Sequence, residues 1–170
     1  MLFRSCIFTD WISVEKGALL RNMKKSFGYR LSFTIKLLAL RDDAYQSSII
    51  TVRDLENGED ILEIALPQGR NHIKLINKRL NDTIHYWTIS RIPLPLFAET
   101  QFEVREQLQE RGFYLYEAFI NGSRVGLLEE NHRPVESRIK IYAGHPEQES
   151  AYAVIKDFKF LRYKEPGGHA

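Results

Sequence analysis

The chain of 170 residues predicts an all-β fold, two antiparallel sheets packed face to face as a sandwich. Three observations carry this. Short segments rich in β-branched and aromatic residues recur along the chain, many of them alternating apolar and polar. Turn residues separate them at the spacing of a sandwich or barrel, and the helical period is almost absent. The length suits one domain around one core, here residues 1–163, with 164–170 (Lys-Glu-Pro-Gly-Gly-His-Ala) as a flexible tail.

The clearest strand is Tyr29 to Leu37, where strict alternation puts Tyr29, Leu31, Phe33, Ile35 and Leu37 on one face. Ser48–Val52, Ile61–Leu66 and His72–Ile76 follow, broken by Asn57-Gly58 and by Gln68-Gly69-Arg70-Asn71. Gly and Asn tolerate the positive φ that tight turns demand, so each break suits a hairpin. Ile84–Ser90 continues the series. Pro93-Leu94-Pro95-Leu96 is a connector, because two prolines cannot donate to a ladder. Gln101–Leu108, Phe113–Ile120, Arg124–Leu128, Arg138–Gly144 and Tyr152–Leu161 complete about ten or more strands, with Asn121-Gly122 closing the plainest hairpin. Two stretches have some helical character, 11–25 and 97–109, and both read better as strand or loop.

Twenty-four Lys and Arg against twenty-two Asp and Glu give a net charge of +2, with the signs interleaved. That pattern offers no basic face for nucleic acid or an anionic membrane. No apolar run reaches the roughly 18 residues of a spanning helix, so no membrane insertion is expected. The apolar start, Met1 to Phe8, is interrupted by Arg4 and makes a poor secretory leader. The single Cys6 excludes an internal disulfide. Sequons at Asn81 and Asn121 are compatible with glycosylation.

From Pro93 onward the order of motifs resembles the laminin-G and concanavalin A-like sandwich domains, a jelly-roll class. The matching pieces are Pro93-Leu94-Pro95-Leu96, Tyr114-x-Tyr116-x-Ala118-Phe119-Ile120-Asn121-Gly122-x-x-Val125, Glu130-Asn131-x-x-Pro134, Ile139-x-Ile141-Tyr142-Ala143-Gly144-x-Pro146 and Ala153-x-Ile155-Lys156-Asp157-Phe158-x-Phe160. Upstream, Tyr29 to Leu37 matches as the strand that begins the sandwich. The resemblance implies chain ends that lie together and a secreted binding role in an adhesion or matrix system. The chain departs from it by having Glu99-Thr100-Gln101-Phe102 where a Trp is common, and by lacking the family's calcium-holding set.

No group of residues spells out a reaction. A glycan hydrolase on this fold needs two carboxylates about 5–10 Å apart on one face. Glu59 and Glu63 share a phase, but Ile61 sits where a third acid would stand. His72, His85, His132, His145 and His169 are dispersed without metal-ligand spacing. Asp42, Asp43, Asp54, Glu56, Asn57 and Asp60 are hard oxygen donors for calcium, short of a complete set, so no cofactor is expected. Aromatic and polar loop residues remain, and these suit a sugar, whose C–H faces stack on rings while its hydroxyls need fixed polar partners. The candidate rim is Tyr45, Arg70, Asn71, His132, Arg133, His145 and Glu147. The sequence thus predicts an extracellular or cell-surface, non-catalytic binding module for a glycan or partner protein. A structural, self-associating domain and a degenerate glucanase-like hydrolase stand as alternatives.

Overall fold

Alternation has the consequence that the pleat demands: Tyr29, Leu31, Phe33, Ile35 and Leu37 are all buried on one face of a single strand. The computed structural model describes residues 2–25, 28–56, 58–78, 84–88, 93–109, 112–130 and 137–163. These form β1 (Leu2–Phe8), β2 (Ile12–Ser13), β3 (Leu19–Lys25), β4 (Tyr29–Leu37), β5 (Gln46–Asp54), β6 (Asp60–Pro67), β7 (Lys74–Lys78), β8 (Ile84–Thr88), β9 (Glu99–Leu108), β10 (Tyr114–Ile120), β11 (Ser123–Glu130), β12 (Ser137–Ala143) and β13 (Ala153–Tyr163). No helix occurs among the described residues.

Two antiparallel sheets result. One runs β1-β13-β4-β9-β10-β11, with the short β2 also on β13, and the other runs β3-β12-β5-β6-β7-β8. Their inner faces supply one continuous core. Phe33, Phe102, Val104, Ile155, Phe158 and Phe160 come from the first sheet, and Val52, Leu62, Ile64, Leu75, Ile139 and Ile141 from the second. Leu94 of the proline connector enters the same core, tied in place where its N–H donates to the Asn71 carbonyl at 2.8 Å.

The chain ends meet, since β1 pairs with β13 from Leu2↔Tyr163 to Phe8↔Phe158. That first strand is a correction to the sequence reading, in which Tyr29–Leu37 began the sandwich and Met1–Phe8 was only a poor leader. A register shift between Phe3 and Ser5 erases the period-2 signature of β1, and a vacant edge of β13 pairs with it regardless of pattern. The segment 11–25 contributes the short β2 and β3, also without strict alternation.

β13 changes phase within itself. Ala153 and Ile155 point inward at odd positions, then Phe158 and Phe160 at even ones. Asp157, at φ 52°, is the bulge residue that resets the register against β4 between Lys156 and Lys159. The reset lets Phe158 stack on Phe8, ring centroids 5.4 Å apart, and Phe160 on Tyr29 at 5.2 Å. Burial, with Glu106 and Tyr116 adding to it, raises the Tyr29 phenol well above its ordinary value.

At the Asn121-Gly122 turn both residues have positive φ (50° and 81°), the two-residue hairpin that the dipeptide predicts. Gly144 is more constrained. It has φ 113°, and a Cβ there would stand 2.6 Å from the Glu15 carbonyl oxygen. Its N–H donates to Ile49 O at 2.7 Å and its carbonyl accepts from Thr51 Oγ1 at 2.6 Å, so the backbone cannot retreat. Gly144→Ala is therefore expected to destabilise the fold by about 3 kcal/mol or more, while Gly122→Ala, with nothing within 4 Å of its added Cβ, loses about 1–2 kcal/mol. Urea denaturation of the two variants measures the difference. Equal losses would show that the Glu15 contact yields.

Candidate functional site

The outward faces of β5, β6 and β7 form the floor of an open cleft of about 690 Å³. Gln46 of β5, Glu63 of β6 and Lys74 and Ile76 of β7 lie across the floor, with Ala44 and Tyr45 on one wall, Glu59 and Asp60 at another, and Glu147, Gln148 and Glu149 above. Glu63 reaches the outside because its neighbours Leu62 and Ile64 are claimed by the core.

Two arginines and one histidine hold these walls. Arg53 Nε donates to Asp60 Oδ1 at 2.8 Å while its Nη1 donates to Glu147 Oε1 at 2.9 Å, joining the start of β6 to the 144–151 loop. The Asp60 hydrogen bond raises the Arg53 guanidinium above its ordinary value, against the opposing effect of burial. Arg41 donates to Asp43, to Ser150 O at 3.0 Å and to Glu149 Oε2 at 2.9 Å, with its guanidinium 4.8 Å from the Tyr152 ring.

His145 is the keystone. It is 1% exposed, and its Nδ1 accepts the backbone N–H groups of Glu147 at 3.0 Å and Gln148 at 2.9 Å. A nitrogen that accepts carries no proton, so the proton sits on Nε2 and is donated to Asp60 Oδ2 at 2.7 Å. The imidazole thus fixes the turn above the cleft and the carboxylate below it.

Asp60, Glu63 and His145 bring one ligand atom each within 4.8 Å of the others. His145 is not placed to ligate a metal in this arrangement, because its Nδ1 accepts two backbone N–H groups and its Nε2 faces Asp60, which leaves two carboxylates. Glu63 Oε1 accepts Gln46 Nε2 at 2.9 Å and Ser48 Oγ at 2.5 Å. Asp54 is buried and accepts the Glu56 N–H at 2.9 Å, and Asp43 pairs with Arg41, so these oxygen donors do not gather with Asp60. Asn57 lies outside the described residues.

Of the candidate rim, Tyr45 and Glu147 line the cleft, Tyr45 at 80% exposure. His145 lies behind it, spent on internal contacts. Asn71 Nδ2 donates to Leu94 O at 2.7 Å and serves the proline connector. Arg70 is exposed in the turn after β6 and is not among the residues that line the cleft. His132 and Arg133 lie outside the described residues. Sequence reasoning missed Asp60, Lys74 and Gln46 as cleft residues. Strand phase pairs Glu59 with Glu63, whereas the register shift between Val52 and Arg53 brings Asp60 into the cleft beside it. Tyr114 and Tyr116 of β10 are buried.

No protein-family model matches the chain, and no curated protein matches it in sequence. Solved structures do match. The receptor-binding domain of botulinum neurotoxin type G aligns over 95% of this chain and 43% of its own at 13% identity, TM-score 0.57. A heptameric SAP-like pentraxin from Limulus polyphemus aligns over 89% of this chain and 76% of its own, at 13% identity and TM-score 0.62. An endo-β-1,4-glucuronan lyase from the fungus Trichoderma reesei aligns over 93% and 75%, at 8% identity and TM-score 0.56. The chain spans less than half of the neurotoxin domain. With these likenesses and the two-sheet topology, the chain is a jelly-roll sandwich of the concanavalin A-like class.

His145→Ala is expected to lower stability by about 2–4 kcal/mol, because it strands two backbone donors and a carboxylate that the imidazole satisfies. Urea denaturation gives the loss, and amide NMR should show Glu147 and Gln148 as the most shifted residues. An unchanged urea midpoint would mean that the turn holds itself.

Proposed function

We propose that this domain is a non-catalytic, extracellular or cell-surface binding module whose cleft over β5–β7 takes a glycan. The observation that carries the reading is Tyr45, an 80% exposed aromatic at the edge of a cleft whose polar groups are held by internal bonds. A sugar ring stacks its C–H face on such a platform, and its hydroxyls donate to carboxylates already fixed in position. Arg53 and His145 each hold one oxygen of Asp60, which fixes it beside Glu63 as an acceptor with a lone pair on each oxygen still open to a ligand hydroxyl, and this supports the binding reading. The sandwich relatives include a receptor-binding domain and a lyase, so the fold is compatible with either. No helix of the described residues is long and apolar enough to cross a membrane.

A glycan array should give a selective set of ligands, with affinity falling about tenfold or more in Tyr45→Ala at unchanged stability. Silence on a broad array with the protein folded by circular dichroism would remove this reading.

A second reading, self-association within a larger polypeptide, rests on a separate observation. Leu38, Leu40, Leu96, Phe97 and Tyr152 are exposed in three loops tied by Leu38 N–H to Tyr152 O at 2.8 Å and Phe97 N–H to Leu37 O at 2.8 Å. Phe97 is 68% exposed at φ 62°, a strained backbone presenting a ring to solvent. On this reading sedimentation shows concentration-dependent association of the wild type that Phe97→Asp abolishes, and a monomer throughout excludes it.

A further inference from the structure

The cleft holds one charge with an unusual environment. Five carboxylates line it, Glu59, Asp60, Glu63, Glu147 and Glu149, against one lysine, Lys74. Arg53 meets Asp60 and Glu147, while Arg41 and Lys16 meet Glu149. Glu63 differs. It is only 6% exposed, it receives two neutral donors, both on Oε1, and no described residue donates to its Oε2. Among the described residues no cation pairs with it directly: Lys74 Nζ lies 3.5 Å from Gln46 Oε1, one amide away from the carboxylate, so a ligand cation against Oε2 would add the direct charge-assisted bond that Glu63 lacks. Tyr45 beside it already faces an ammonium, Lys74 Nζ lying 5.5 Å from the ring centroid.

We propose that the ligand of this cleft is an amino sugar with a free, protonated amine, its ammonium donating to Glu63 Oε2 while its ring stacks on Tyr45. The proposal rests on the glycan-binding reading above and narrows it. Asp60, Glu147 and Glu149 are paired with Arg53, Arg41 and Lys16, so the selectivity rests on Glu63 alone, and a carboxylate or sulfate set against its Oε2 is the wrong charge for that position. An N-acetylated sugar loses the charge, and a neutral hexose offers only a hydroxyl.

Three tetrasaccharides that differ at the C2 substituent test it: a glucosamine tetramer, an N-acetylglucosamine tetramer and cellotetraose, titrated by calorimetry at a pH where the amine is charged. The glucosamine tetramer should bind about tenfold to a hundredfold more tightly than the other two, as one charge-assisted bond to a shielded carboxylate provides. Glu63→Gln should abolish the preference, and in the wild type the Glu63 side-chain carboxyl ¹³C resonance should shift on saturation. That resonance keeps the test decisive should Glu63→Gln fold poorly. Equal affinity for all three, lost in Tyr45→Ala, would overturn the amine and leave a glycan cleft standing. A preference for glucosamine that survives in folded Glu63→Gln, without a Glu63 resonance shift, would reduce it to diffuse charge attraction and overturn it too. Binding of a lysine-rich peptide with no response to any tetrasaccharide would transfer the cleft to a protein partner and overturn both readings.

Discussion

The pleat of β6 forces Leu62, Ile64 and Leu66 into the space between the sheets, and by the same geometry delivers Glu63 to the opposite surface. A single slip of register would reverse both, exposing three core side chains and burying the carboxylate in the core. The core thus secures the site: the apolar burial that fixes the β5-β6-β7 register also fixes what the cleft floor presents.

The walls obey a different logic. The 144–151 loop crosses β5 on backbone bonds, with Ser48 N–H to Glu149 O at 3.0 Å and Ala151 N–H to Ser48 O at 2.9 Å. His145 and Arg53 then tie that loop to Asp60. Such a neutral imidazole, saturated on both nitrogens, rigidifies because breaking any one of its bonds leaves a buried group unpaired. Preorganised walls cost a ligand little ordering entropy, which is the condition for useful affinity from a shallow cleft. Arg41 has the matching role at the far side, where it joins the 41–43 segment to Glu149 and Ser150.

Strand irregularities account for most of the distance between pattern and structure. Asp157 in β13, the shift between Phe3 and Ser5 in β1, the shift between Ser48 and Ile50 in β5, and the extra Ile61 of β6 opposite the Val52–Arg53 step each break period 2. Each also has a consequence. The first aligns Phe158 and Phe160 with Phe8 and Tyr29, and the last places Asp60 opposite Arg53. Bulges lie where a sheet must re-aim a side chain.

The sequence by itself determined the all-β class, the inward face of Tyr29–Leu37, the Asn121-Gly122 hairpin and the exposure of Tyr45, because these depend on alternation and turn chemistry within a few residues. Only the tertiary structure decided that Leu2–Phe8 is a strand, that His145 is an internal brace and that Asp60, Glu63 and Lys74 share a cleft with Tyr45 and Glu147. Those outcomes hang on which strand edge is vacant, where registers slip, and which loop crosses which strand. Such pairings join residues far apart in the chain, His145 and Asp60 being separated by 85 positions, and leave no local trace in the sequence.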